Sequence, residues 1–257
     1  MRRNAIIQLS IGCLGLAAFS FAGCERGPRA DGPTGNPPAP VEQQVKPRVE
    51  RVLTKEEQNN LTPDAVIQIL RDGNQRFVEG TLTSRDHSKQ VRESALGQYP
   101  KAVVLSCLDS RVPVEDVFDR GIGDVFVARV AGNFENTDIL GSMEYGCAIA
   151  GAKVVLVLGH EHCGAIKGAI DGAELGNLTA LLQNLRPAVD HFADYEGDKT
   201  SGNPEFVRMV SEQNVRLTIE RIRARSEVLR DLEASGDIKI IGGFYEMTAG
   251  TVVMLDE

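Results

Sequence analysis

Basic residues are the minority charge in this chain of 257 residues: 28 lysines and arginines stand against 36 aspartates and glutamates, a formal charge of −8. That balance excludes the electrostatic footprint of a nucleic-acid partner. Cysteine is scarce too. Of the five, Cys13 lies in an apolar N-terminal stretch and Cys24 at its end, leaving Cys107, Cys147 and Cys163 for the body. An odd set of three makes no disulfide framework. No internal repeat is present, which excludes a stacked-repeat architecture, and the one long apolar run, 5–22, is short for a membrane span. What is present, 42% hydrophobic and 25% charged residues, suffices to bury one full core.

The N-terminal stretch begins with Arg2 and Arg3 and closes on Phe21-Ala22-Gly23-Cys24. It reads as a removable export signal over 1–23, the arginine pair being its basic start rather than a twin-arginine signal. The closing four residues resemble a bacterial lipobox. That resemblance implies cleavage before Cys24, acylation of its sulfur and new amine, and a protein held at the periplasmic face by N-terminal lipid alone. Glu25, where an aspartate would mark inner-membrane retention, favours the outer membrane. Residues 24–52 are polar and rich in proline and glycine without apolar periodicity, which predicts a disordered tether. The folded domain is expected over 53–257.

Within it, Leu61-Thr62-Pro63-Asp64 is a helix start, and Val66, Ile67, Leu70, Phe77 and Val78 recur at mostly helical spacing. Short β-rich runs follow at 102–106, 125–130, 154–158, 238–241 and 251–255, separated by helical stretches at 139–150, 178–192 and 206–232, the last read as two helices. This alternation predicts an α/β fold, a mostly parallel sheet flanked by helices, with an N-terminal helical arm.

Cys107 comes just after the run Ala-Val-Val-Leu-Ser, and His160 and Cys163 come at and after the end of Val-Val-Leu-Val-Leu-Gly. Both groups therefore emerge at strand ends, where open α/β sheets bind ligands. Two cysteines and one histidine form a normal zinc shell with one position left for water. A helix starting near Gly164 would turn its positive end toward Cys163 and favour the thiolate.

Cys107-Leu108-Asp109-Ser110-Arg111, followed by His160-Glu161-His162-Cys163-Gly164, resembles the paired signature of the β-class carbonic anhydrases. The likeness runs from about Leu53 to the end, through Asn74-Gln75-Arg76-Phe77, Val130-Ala131-Gly132-Asn133 and Ile241-Gly242-Gly243-Phe244-Tyr245. It implies one zinc ion per subunit on Cys107, His160 and Cys163, and reversible hydration of carbon dioxide to bicarbonate and a proton by zinc-bound hydroxide. It also implies that Asp109, paired with Arg111, accepts a hydrogen bond from the zinc-bound water or hydroxide, and that without Arg111 it would close the site as a fourth ligand. Gln98, Phe126 and Tyr145 match the substrate pocket of plant-type members by spacing, and Gly164 joins them as a substrate-binding position. A homodimer or larger homo-oligomer is implied, its N-terminal helices embracing the partner.

Two other functions use the same residues: hydrolysis of carbon disulfide or carbonyl sulfide on the same zinc shell, and zinc or bicarbonate binding without turnover. The second would be expected to have lost Asp109 or Arg111, and both are present. The family's bicarbonate-gated subset uses a tryptophan that this chain lacks, so an ungated site is expected. His162, His87 and His191 are candidate proton relays, each more simply a surface histidine. Cys147 is expected to act as a small apolar group, and the Asn177-Leu178-Thr179 sequon to be the start of a helix.

Overall fold

The computed structural model describes residues 51–255. The expected signal 1–23, Cys24 and nearly all of the tether lie outside them. Thr54 caps α1 (Lys55–Asn59) reciprocally with Glu57, each side chain accepting the other's backbone N–H. The anticipated Thr62-Pro63 start opens α2 (Pro63–Val78), with Thr62 Oγ1 accepting from Ala65 N. The chain continues through α3 (His87–Ser94), β1 (Ala102–Ser106), α4 (Val114–Val117), β2 (Val125–Arg129) and α5 (Thr137–Glu144), which runs into a π-helical turn, Tyr145–Ile149. After β3 (Val154–His160) come α6 (Gly164–Ile170), α7 (Gly176–Gln183), α8 (Arg186–Asp190), α9 (Pro204–Arg225), α10 (Glu227–Ala234), β4 (Lys239–Glu246) and β5 (Thr251–Leu255).

The sheet order is β2-β1-β3-β4-β5. All pairs are parallel except the last, where β5 turns back against β4. β1 and β3 are buried along their whole length, as a parallel sheet covered on both faces requires. Val103, Leu105, Val155 and Val157 meet Val215, Ile219 and Ile222 of α9 on one face. Val104, Leu156 and Leu158 share the other with Val66 and Leu70 of α2.

The N-terminal helices are tied to their own body. Gln58 Nε2 donates to the carbonyls of Pro100 and Ala150 at 2.7 and 2.8 Å. Asn74, buried on α2, donates to the carbonyls of Val117 and Gly250 and accepts from Val252 N at 2.8 Å. Gly73 beside it is required, because a Cβ there would stand 1.9 Å from the Phe118 carbonyl oxygen. Arg76, Arg85 and Thr83 all donate to the buried Asp119 carboxylate. Burial alone would raise that carboxyl, but these donors outweigh it and hold it at about 2.

Four boundaries differ from the sequence expectation. The helix anticipated over 139–150 is α5 plus the π turn. The one over 178–192 divides into α7 and α8, since Pro187 lies in the first turn of α8 and proline is favoured where a helix starts. The segment 206–232 is two helices as expected but with wider bounds, Pro204–Arg225 and Glu227–Ala234, meeting at Ser226, whose hydroxyl caps α10 by accepting from Leu229 N at 3.2 Å. β4 extends past the expected 241 through Gly242 and Gly243, and at Gly242 Val215 leaves no room for a side chain: a Cβ there would lie 2.9 Å from it. Among the described residues no helix is long and apolar enough to cross a membrane.

Candidate metal centre

β1 and β3 are neighbours with Ser106 paired to Leu158, so the residues that follow leave the sheet at the same edge. Cys107 comes directly after β1, His160 ends β3, and Cys163 is the N-cap of α6. All three are buried, with side-chain ligand atoms within 4.8 Å of one another. The two sulfurs are 3.9 Å apart. Two sulfurs each about 2.3 Å from a tetrahedral zinc would be separated by about 3.8 Å.

The donor chemistry fits as well as the spacing. His160 Nδ1 lies 2.8 Å from the Glu161 carbonyl oxygen, and an N–H donated there leaves Nε2 unprotonated. Nε2 is buried and has no hydrogen-bond partner among the described residues, an orphan that a metal would satisfy. The Cys107 thiol is pulled down to about 4 because Cys163 donates to its sulfur; burial opposes this, and the Gly132 N–H at 3.3 Å assists. A second ionisation, at Cys163, is opposed by that neighbouring sulfur and by burial, and is only partly favoured by the N–H groups of Ile166 and Ala165. A divalent cation between the sulfurs would remove the opposition.

Asp109 and Arg111 form a fork beside this cluster. Arg111 Nε and backbone N–H donate to Asp109 Oδ1 at 2.9 and 3.0 Å, and its Nη2 donates to Oδ2 at 2.7 Å. Neither oxygen is wholly free, then; the acceptor capacity that remains is chiefly on Oδ2. The Arg111 hydrogen bond holds the carboxyl at about 2 against the cost of burial. Arg111 Nη2 also approaches the His162 carbonyl at 3.4 Å, linking the two motifs. Arg129, at the end of β2, was not singled out from sequence. It donates to the carbonyls of Cys107 and Asp109 at 3.0 and 3.3 Å and to that of Val112, fixing the loop that carries the cysteine.

A single chain does not bring Gln98, Phe126 and Tyr145 to this cluster. Phe126 pairs with Val103 near the start of β1, about 13 Å of strand from Cys107 at 3.3 Å per residue. Gln98 is exposed in the segment before β1. Tyr145 is half exposed, its ring 6.2 Å from that of Phe126. Phe126 and Tyr145 line a cavity of about 670 Å³ with Val103, Ala128 and Ile139. Gly164 does border the cluster, and a Cβ there would meet nothing within 4 Å. His162 is exposed with φ of 54°; His87 and His191 are exposed and outside the metal set. Burial pushes the Cys147 thiol up to about 12, as expected of an inert apolar group. Leu178 and Thr179 lie in α7, where Thr179 Oγ1 accepts from Leu175 N at 2.9 Å.

The carbonic anhydrase family model matches residues 102–252. Carbonic anhydrase 2 of Mycobacterium tuberculosis is 34% identical over 202 residues, covering 77% of this chain and 95% of that one. The carbonic anhydrase of Mycolicibacterium smegmatis is 32% identical, covering 75% and 93%. Among solved structures, one of two tetrameric β-carbonic anhydrases from Sordaria macrospora superposes with a TM-score of 0.58 at 28% identity, covering 65% of this chain and 85% of that one. The Coccomyxa β-carbonic anhydrase, solved with acetazolamide, gives 0.59 at 25%, covering 65% and 76%.

Proposed function

The chain belongs to the carbonic anhydrase family, in its β class, and from that premise we propose that it hydrates carbon dioxide reversibly to bicarbonate and a proton, with one zinc ion on Cys107, His160 and Cys163. The observation that carries this reading is the buried Cys2His set, with His160 Nε2 orphaned, beside a carboxylate clamped by arginine. Zinc held there would supply Lewis acidity, lowering the proton affinity of a water molecule near neutral pH.

The chain's own groups do the rest. Two thiolates offset the metal's charge and weaken that acidification, which makes a positioned acceptor useful. Asp109 supplies it: ionised at neutral pH, it accepts a hydrogen bond from the attacking water and fixes the direction of the oxygen's lone pair. Arg111 holds Asp109 in a two-pronged grip and so keeps it from reaching inward as a further ligand. The open space before Gly164 leaves room for a small, linear, apolar substrate.

Gln98, Phe126 and Tyr145 act in this reading from a second copy. β2 is a sheet edge without a partner strand among the described residues, and the exposed Tyr145 packs beside Phe126 of that strand. A homodimer across this edge would cover both and bring the Phe126–Tyr145 cavity to the neighbouring metal centre. The N-terminal residues, by their lipobox, send the enzyme to the periplasmic face as a lipoprotein anchored through Cys24, with the outer membrane favoured. Labelled palmitate is expected to enter the protein in cells and to be lost in Cys24→Ala; label retained in that variant would contradict the anchor.

Oxygen-18 exchange between labelled bicarbonate and water tests the reaction. The zinc-loaded protein is expected to deplete the label rapidly and to leave carbonyl sulfide largely untouched. Rapid consumption of carbonyl sulfide with slow exchange would instead favour the sulfur-substrate activity.

A further inference from the structure

The Gly132 N–H that donates to Cys107 Sγ belongs to a turn whose other attachments are remote in sequence. Asn133 N donates to the Val130 carbonyl at 3.0 Å, closing Val130-Ala131-Gly132-Asn133 as a four-residue turn. Gly132, in its third position, has φ of +88°, which is the demand a type II turn makes of glycine. This geometry turns the peptide N–H between Ala131 and Gly132 outward, onto the sulfur 3.3 Å away. A shift of the turn away from Cys107 would lengthen this bond and remove it.

Two groups oppose such a shift. Asn214, on α9 and 1% exposed, donates its Nδ2 to the Gly132 carbonyl at 2.8 Å. Leu185, fully buried, packs against the Gly132 α-carbon so closely that a Cβ would lie 2.6 Å from its methyl. Neither residue belongs to the metal set.

We propose that Asn214, with Leu185, is a positioning residue for the metal centre: it locks the 130–133 turn so that the Gly132 N–H stays on the Cys107 thiolate. An N–H donated to a ligating thiolate spreads its negative charge and limits the charge the sulfur passes to the metal. α9 thereby sets how strongly Cys107 donates, through a contact 82 residues away. This inference rests on Cys107 being a metal ligand, as proposed above.

Cobalt(II) exchanged for zinc in the full-length protein gives the test, because a thiolate-to-cobalt charge-transfer band reports the electron density on sulfur directly. In Asn214→Ala the band is expected to move to longer wavelength, and zinc affinity measured by chelator competition to fall roughly 10–100-fold, as for other outer partners of metal ligands. Leu185→Ala, which frees the same turn from its other side, is expected to shift the band in the same direction. A folded Asn214→Ala protein whose band matches the parent's would overturn the inference while leaving the metal site standing. Should Asn214→Ala fail to fold, the Leu185→Ala band decides in the same way. A parent protein that shows no thiolate band with bound cobalt would remove Cys107 from the ligand set, and the inference with it.

Discussion

Replacing Asp109 by alanine is expected to lower the rate of carbon dioxide hydration by roughly 10²–10⁴-fold, the usual worth of a positioned proton-accepting group, while zinc stays at one per chain. The three ligand atoms come from other residues, so the metal should survive the substitution. What is lost is the acceptor that orients the attacking water, and Arg111 keeps its charge without its partner. The pH dependence carries a second signature. The Asp109 carboxyl is held at about 2, below its ordinary 3.8, by the Arg111 hydrogen bond. A depressed carboxylate is fully ionised above its ordinary value and is protonated only as pH falls toward the depressed one. The acceptor is therefore present throughout the neutral range, and Asp109→Ala should lower the rate at every pH from 6 to 9 without moving the midpoint of the profile. A midpoint displaced by a full unit would mean that Asp109 itself titrates during turnover. Arg111→Ala should be comparably inactive for another reason, since the freed carboxylate can turn toward the metal. Adding Asp109→Ala to it should then cost little more, because the two residues act as one unit.

Cys163→Ser and His160→Ala are expected to remove both the metal and the activity. Each takes one of three ligands from a buried site, and a structure that binds zinc only when folded gains stability from it. At free zinc 1,000 times the dissociation constant the gain is about 4 kcal/mol. Zinc should thus raise the urea midpoint of the parent markedly and leave that of the two variants nearly unchanged. Cys147→Ser is the control: Cys147 lies in the π turn, outside the cluster, and should retain one zinc per chain with parental activity. Full zinc occupancy in His160→Ala after dialysis against a chelator would show that the ligand set is wrong.

The three candidate ligands were legible in sequence because they come at or just after apolar runs read as buried strands, and the Asp109–Arg111 pair because its motif resembles the family signature. Neighbouring parallel strands then deliver Cys107 and His160 to one edge without help from distant contacts. The alternation of strand and helix was legible for the same reason. Features that depend on what lies opposite were not. β4 continues through Gly242 and Gly243 because both pair with β3, with α9 close against Gly242, and a glycine pair read alone looks like a strand end. The π turn at Tyr145–Ile149 keeps the helical spacing of its apolar residues, so periodicity does not reveal it. Arg129 and Asn214 serve the metal loop through hydrogen bonds spanning 22 and 82 residues, which no local pattern encodes. Gln98, Phe126 and Tyr145 show the converse: their spacing from the motifs matched the family, yet one chain leaves Gln98 and Phe126 at the opposite end of β1 from Cys107.

In the proposed reading, a zinc ion at the Cys107–His160–Cys163 cluster makes this chain an enzyme acting on carbon dioxide. Stopped-flow hydration during zinc titration of metal-free protein tests it most directly. The expected result is a rate that rises in proportion to zinc and levels at one equivalent per chain. No turnover with one zinc bound, or turnover that persists after zinc is removed, would contradict it.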